Sequence, residues 1–385
     1  MEYRKMKKHG LEVSLLGFGC MRFPLNTAGK INSARAMKMI DTAYKAGVNY
    51  FDTAYLYHNG ESETFVGTAL KKYERSSFFL TTKLPCFLID SLDQAKEIFE
   101  EQLKRLQVEY LDFYLLHALN RTSYDKMKEL GIVDWMSQLK KEGRIHHWGF
   151  SFHDDYEAFS YIIKDQDWDI CQIQLNYMDT EFQAGMKGYK LAEKLGIPLV
   201  VMEPVRGGSL AGFSLELEEP FRECNKKASI ASYALRWVGS CSHVNVILSG
   251  MSTLEQVRDN INSFSPFVPL SPKEQIAVLK VSNELKKKTN VMCTGCAYCM
   301  PCPKGVNIPE NFTIWNDYGI YDNIDSSRWA WTQGISESEK AKNCVSCGLC
   351  ENACPQELPI RSLLKRLQTE MDEAIKTSQE TCEND

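Results

Sequence analysis

Eight of the fourteen cysteines in this 385-residue chain fall in two short runs near its C-terminus, and both runs end in Cys-Pro. The first reads Cys293-Thr-Gly-Cys296-Ala-Tyr-Cys299-Met-Pro-Cys302-Pro303, the second Cys344-Val-Ser-Cys347-Gly-Leu-Cys350-Glu-Asn-Ala-Cys354-Pro355. A four-iron cube needs four converging thiolates. Three cysteines two residues apart wrap one loop around three corners, and the fourth thiolate must come from elsewhere. Zinc sites more often pair two C-x2-C knuckles across a spacer of about 12–20 residues. Disulfide frameworks belong to small secreted chains. The spacing therefore favours iron–sulfur clusters over zinc or disulfides. Gly295 and Gly348 lie inside the loops, where left-handed backbone and close approach of N–H groups to sulfur are needed. The prolines after Cys302 and Cys354 turn the chain away from the metal.

The second run has the C-x2-C-x2-C-x3-C-P pattern of bacterial two-cluster ferredoxins, and the first resembles it with one residue fewer before its last cysteine. That resemblance implies two 4Fe–4S clusters with crossed ligand sets. Cys293, Cys296, Cys299 and Cys354 would hold one, and Cys344, Cys347, Cys350 and Cys302 the other. The scattered Cys20, Cys86, Cys171, Cys224 and Cys241 read as small apolar residues, and Cys382 as a free thiol on a tail.

An apolar fraction of 44% is ample for a core, and a net charge of −5 gives no electrostatic case for nucleic acid. The first residues, Met-Glu-Tyr-Arg-Lys-Met-Lys-Lys-His, lack the apolar core of a signal peptide, and no apolar run approaches membrane-spanning length. A reducing cytoplasm is the expected location, with no membrane partner; it suits oxygen-sensitive thiolates.

From about residue 11 to 263, short apolar strands alternate with amphipathic helical stretches. The strands are expected at Ser14–Gly19, Val48–Thr53, Phe78–Lys83, Leu111–His117, His146–Ser151, Ile170–Asn176, Leu199–Glu203 and Val244–Ser249. Between them the spacing is helical, as in Ala34, Met37, Ile40, Ala43 and Tyr44 before Gly47. Eight strands, each followed by a helix, predict an α/β fold closed as a (β/α)8 TIM barrel. Tyr3–Ser14, turning at His9-Gly10, predicts a hairpin that plugs the barrel's base. The boundaries expected are a barrel over 1–263, a linker and charged helix over 264–290, a helical ferredoxin-like domain over 291–376 and a structureless polar tail over 377–385. Trp315, Trp329 and Trp331, between the cysteine runs, are expected to dock this domain on itself, on the barrel or on a partner.

In such barrels chemistry sits at the C-terminal strand ends. Those ends present Asp52, Lys83 and His117, with Tyr57 in the loop after Asp52. The segment Asp52-Thr-Ala-Tyr-Leu-Tyr57-His-Asn-Gly60-Glu-Ser62-Glu63 resembles the signature of the aldo/keto reductases. Lys83 in Leu-Thr-Thr-Lys83 and His117 in Tyr-Leu-Leu-His117 stand where that family places them. The whole chain is similar to the bacterial branch of the family with a C-terminal ferredoxin-like domain. A carbonyl accepting hydride develops alkoxide character and needs a proton donor. Tyr57 would be that acid, Lys83 its tuner, Asp52 the anchor of the lysine and His117 a donor that orients the carbonyl.

The resemblance further implies a nicotinamide site. Ser151 and Gln172 would hold the carboxamide, although Phe152 replaces the family's asparagine. Met202 stands where the family often stacks an aromatic ring. Gly207, beside Gly208, suits close backbone approach to pyrophosphate. Ser249, Gly250 and Asn260 lie in the adenosine-side motif, where Gly250 and Gln256 replace the basic residues of NADP-selective relatives. NADH is therefore expected to serve at least as well as NADPH. A nicotinamide moves two electrons and each cluster one; a flavin would bridge the two, but no flavin motif is recognisable. The leading expectation is an oxidoreductase acting on a carbonyl or related small metabolite, with clusters as an electron port to ferredoxin or another redox protein. The competing readings are an electron carrier or redox-responsive binding module on a retired barrel, and a reductase whose clusters are only structural.

Overall fold

The computed structural model describes residues 1–291, 293, 299–321, 324–354 and 358–382. Gly295, Cys296, Pro355 and the side chain of Cys382 lie outside the described residues. Strands β1 (Tyr3–Met6) and β2 (Leu11–Ser14) pair antiparallel, as the turn at His9-Gly10 requires. Then follow β3 (Leu16–Gly19), β4 (Tyr50–Asp52), β5 (Phe79–Leu84), β6 (Leu111–Leu119), β7 (Ile145–Phe152), β8 (Ile170–Gln174), β9 (Leu199–Met202) and β10 (Val244–Gly250). These eight pair in sequence, and β10 pairs parallel with β3 to close the barrel. Ser14, expected to open the first barrel strand, ends the hairpin instead.

The strands read as nearly continuous apolar runs because both faces are covered: β6 and β10 are buried along almost their whole length. The helices show one apolar stripe. Helix Ser33–Lys45 buries Ala36, Met39, Ile40 and Ala43, is capped by Asn32 accepting from the Arg35 N–H, and is followed by Gly47 at φ 95°.

The hairpin stoppers the N-terminal end of the barrel. Met6 and Val13 are fully buried against Tyr50, Phe113, Leu115, Ile170, Val200 and Val246. Lys8 Nζ donates to the Trp168 carbonyl at 2.6 Å, and His9 Nε2 lies 2.8 Å from the Asp169 carbonyl oxygen. With that end sealed, the open end is the one where the strands' C-termini emerge.

Contacts divide the chain into two units, Met1–Gly212 with Cys224–Ile276, and Phe213–Glu223 with Ala277–Asp385. The second unit is helical. Its core gathers Val306, Phe312, Trp315 and Trp331 against Ile360, Leu364, Leu367 and Met371, a stripe on the helix Ile360–Cys382. Trp315 is fully buried and its Nε1 donates to Glu370 at 2.7 Å, whereas Trp329 is 65% exposed. Two of the three tryptophans thus serve the unit's own core. The tail expected to lack structure is helical as far as Cys382. No glycine or proline interrupts 360–382, so nothing stops the helix where the composition turns polar.

Candidate functional site

Asp52 closes β4, Lys83 is the penultimate residue of β5, and His117 lies near the end of β6. Tyr57 opens the turn Tyr57–Gly60, in which His58 (φ 53°), Asn59 (φ 54°) and Gly60 (φ 88°) are all left-handed. Such backbone costs of order 1–3 kcal/mol per non-glycine residue and persists only where neighbours hold it. Here His58 Nε2 accepts from the Phe23 N–H at 3.1 Å, which ties this turn to the loop after β3.

Lys83 Nζ donates to Asp52 Oδ1 at 2.6 Å and to the Thr53 carbonyl at 2.8 Å, with the lysine fully buried. It also lies 5.1 Å from the centre of the Tyr57 ring. Burial disfavours the Lys83 ammonium, but Asp52 and Tyr57 together outweigh it and hold its pKa above the ordinary value. Burial lifts the Tyr57 phenol; Lys83 pulls it down and Asp52 pushes it up, and the sum stays above the ordinary tyrosine value. The pull of Lys83, the residue read from the sequence as the tuner of Tyr57, is thus outweighed by the desolvation it opposes. His117, 6.1 Å ring to ring from Tyr57, is driven down to about 3 by burial first and by Lys83 second. Both effects favour the neutral imidazole, and its Nδ1 is buried without a hydrogen-bond partner among the described residues.

All the residues expected to bind a nicotinamide cofactor line the same cleft as these four. Asp52, Tyr57, Lys83, His117, Ser151, Gln172, Met202, Gly207, Ser249, Gly250 and Asn260 surround a cavity of about 560 Å³. That lies within the range of about 300–1,000 Å³ usual for small-molecule and cofactor sites. Ser151 Oγ accepts from the Ala118 N–H at 2.8 Å and so fixes the left-handed residue after His117. Gln172 Nε2 reaches the Met202 sulfur at 3.5 Å, while its Oε1 is buried with no partner among the described residues. An unpartnered amide oxygen and an unpartnered imidazole nitrogen on residues lining one cleft fit a carboxamide and a carbonyl as ligands. Asn260 Nδ2 donates to Ser249 Oγ at 2.6 Å, both buried, so this pair braces the wall between β10 and helix Leu254–Ser263. Gln256 accepts from the Ser252 and Thr253 N–H groups and is spent on capping that helix.

The diglycine loop differs from expectation in one respect. The Gly207 N–H donates to the Glu203 carboxylate, and the Gly208 N–H to the Val205 carbonyl at 3.0 Å. A carboxylate oxygen thus takes up the Gly207 N–H that was expected to face a pyrophosphate. Sequence reasoning also missed Arg22, His153 and Glu203, which line the cleft. The Arg22 stem lies over Gly250, where a Cβ would sit 2.8 Å from Arg22 Cγ, and its guanidinium reaches toward Gly207. Its place just after a barrel strand's C-terminal end was the signal available; no local motif marked it.

In the second unit, Cys299, Cys302, Cys344, Cys347 and Cys350 line a cavity of about 210 Å³. It brings Cys299 and Cys302 of the first run together with three cysteines of the second; the ferredoxin pattern groups Cys302 with those three and gives Cys299 to the other cluster. Gly348 is left-handed at φ 82°, and the Ser346 N–H lies 3.4 Å from Cys344 Sγ, so a backbone donor is aimed at sulfur. The thiols are free, and the donor set is pure sulfur, which suits iron–sulfur ligation. Cys293 and Cys354 are half-buried against the same core, and Cys296 lies outside the described residues.

Comparison with known proteins agrees with both halves. The profile of the aldo/keto reductase family matches residues 15–282, and that of a 4Fe–4S dicluster domain residues 292–358. An uncharacterised oxidoreductase of Bacillus subtilis, YqkF, is 28% identical over 293 residues, covering 68% of this chain and 91% of that protein. The aldo-keto reductase AKR11C1 of Bacillus halodurans, in its holo form, superposes with a TM-score of 0.60 at 27% identity, over 73% of this chain and 96% of its own. An aldo-keto reductase of Klebsiella pneumoniae in complex with NADPH shares the fold at a TM-score of 0.58 and 20% identity, over 73% and 96% of the two chains. The chain belongs to the aldo/keto reductase family, as an oxidoreductase that carries a C-terminal 4Fe–4S dicluster domain.

Proposed function

We propose that this protein reduces a small carbonyl compound with NADH or NADPH, and that two 4Fe–4S clusters in its C-terminal unit form a port for electrons exchanged with a redox protein. The observation that carries the reading is the buried Lys83–Asp52 pair beneath Tyr57 in one cleft with His117 and Gln172. A bound nicotinamide supplies hydride. The Tyr57 hydroxyl gives a proton to the oxygen on which charge develops, and the Lys83 ammonium stabilises the phenolate left behind. Asp52 keeps Lys83 charged and in place. Neutral His117 orients the carbonyl oxygen, and Ser151 and Gln172 hold the carboxamide. Phe87, half-exposed and 5.8 Å from the His117 ring, gives the substrate side an apolar lip. NADH serves at least as well as NADPH, because Gln256 is committed to its cap and Gly250 has no side chain.

Tyr57→Phe tests the reductase reading: NADH-linked carbonyl reduction should fall by about 10²–10⁴-fold with cofactor binding retained. Full activity in that variant would overturn it. Cys347→Ser tests the port. Ferredoxin- or dye-linked turnover should be lost while NAD(P)H-linked turnover remains, and unchanged activity with both donors would sink the port.

A further inference from the structure

The cavity bounded by Cys302, Cys344, Cys347 and Cys350 carries a charge pattern that carbonyl reduction does not require. Its lining includes two cations, Lys304 and Arg361, and no carboxylate. In a chain of net charge −5 this lining is locally positive, with Glu351, next to Cys350, pairing with Arg361 and leaving Lys304 as the unpaired cation of the two. Lys304 is exposed and has no hydrogen-bond or ion-pair partner among the described residues. Arg361 is held in place: its Nε donates to Glu351 Oε2 at 2.7 Å, and Glu351 Oε1 accepts from the Arg361 N–H at 2.8 Å. So anchored, the guanidinium lies against the Gly348 turn, about 3.7 Å from the point where a Cβ would stand. Cys347, next to that glycine, is the exposed cysteine among the described members of the two runs. Its neighbours Val345 and Leu349 are each 57% exposed.

A reduced cluster carries one more negative charge than an oxidised one, so a fixed cation beside it favours the reduced form. The same cations, set around a small apolar patch, attract an anionic surface and speed its encounter. Building on the electron-port reading, we propose that Lys304 and Arg361 raise the reduction potential of the cluster held by Cys302, Cys344, Cys347 and Cys350. We further propose that they make the Cys347 face the docking surface for an acidic one-electron carrier protein. In the exchange, one electron passes between the reduced cluster and the oxidised carrier, with no bond made or broken and no proton moved.

The test compares the wild type with Lys304→Gln, Arg361→Gln and the double variant, all purified anaerobically with iron and sulfide quantified. Redox titration followed by electron paramagnetic resonance should show one potential shifted downward and the other unmoved. The second-order rate constant for electron exchange with a purified acidic 2Fe–2S ferredoxin should drop about tenfold in the double variant at low ionic strength. In the wild type it should fall as salt is added. The rate with a basic c-type cytochrome should not fall in the variants. If Arg361→Gln loses iron, Lys304→Gln still decides, because Lys304 has no partner to strand. Potentials that do not move, or a ferredoxin rate indifferent to both salt and substitution, overturn the inference and leave the port standing. A wild-type protein whose clusters reduce but exchange electrons with neither carrier overturns the port and the docking surface together.

Discussion

Lys83 is a full positive charge at zero exposure, tolerated because Asp52 and the Thr53 carbonyl meet it. Lys83→Met should destabilise the protein by about 3–5 kcal/mol, since it strands the buried Asp52 carboxylate. Adding Asp52→Asn should recover most of the loss in chemical denaturation; no recovery would mean the pair is not the reason for the cost. The two shifted pKa values set distinct pH behaviour. On the proposed reading, carbonyl reduction needs Tyr57 protonated, and its pKa lies above the ordinary tyrosine value. The profile of kcat/KM should therefore be flat from about pH 6 to about pH 9, and a limb inside that window would exclude Tyr57 as the acid. His117 acts on stability. Its folded-state value of about 3 lies below the unfolded imidazole's. The unfolded chain binds the extra proton first, so the contribution is complete above about pH 6.5 and is lost as pH falls toward the folded value. His117→Gln should flatten that slope in urea denaturation between those limits. The tetrad was legible because three chemistry-bearing residues fell at strand ends and Tyr57 in the loop after one of them, all within recognisable local motifs. Arg22 and Glu203 were not, because their positions after strand ends carry no local motif and a loop residue's reach across a cleft is set by tertiary packing.

Elements explain why the site is where it is. Strand β7 approaches β8 so closely at Gly149 that a Cβ there would lie 1.9 Å from the Ile170 carbonyl oxygen. A backbone atom cannot step aside as a flexible side chain can. Gly149→Ala should cost about 3 kcal/mol by overpacking. If Ser151 and Gln172 hold the nicotinamide as proposed, it should also weaken NADH binding, because the two are register partners in the same strand pair. Unaltered NADH affinity measured by fluorescence titration would show that the β7–β8 register does not set the cofactor site. The strands were readable from doubly buried apolar runs, and the barrel from their alternation with helices. Helix ends were readable only where a cap or a glycine marks them. Helix Pro272–Lys287 begins where Ser271 and Glu274 bond reciprocally, a pattern visible in the sequence. The final helix outran its expected end because polarity alone does not stop a helix.

At the scale of the molecule, the two units are not beads in series. Residues Phe213–Glu223 leave the first unit, belong to the second and return. That segment buries Leu217 and Phe221, and Phe213 stacks on Tyr321 at 6.4 Å within the same unit. Composition gave no hint of it, since an eleven-residue excursion in a βα connection looks like any other loop. A truncation after Ile276 should therefore yield aggregated protein by size-exclusion chromatography. Removing Phe213–Glu223 as well, with a short glycine linker, should restore a monodisperse barrel. A monodisperse product from the simple truncation would show that the excursion needs no cover. The chain passes between its units three times, after Gly212, Glu223 and Ile276. No single cut separates the barrel unit from the unit that carries the 4Fe–4S dicluster domain, so one nick or one premature stop cannot release either of them whole.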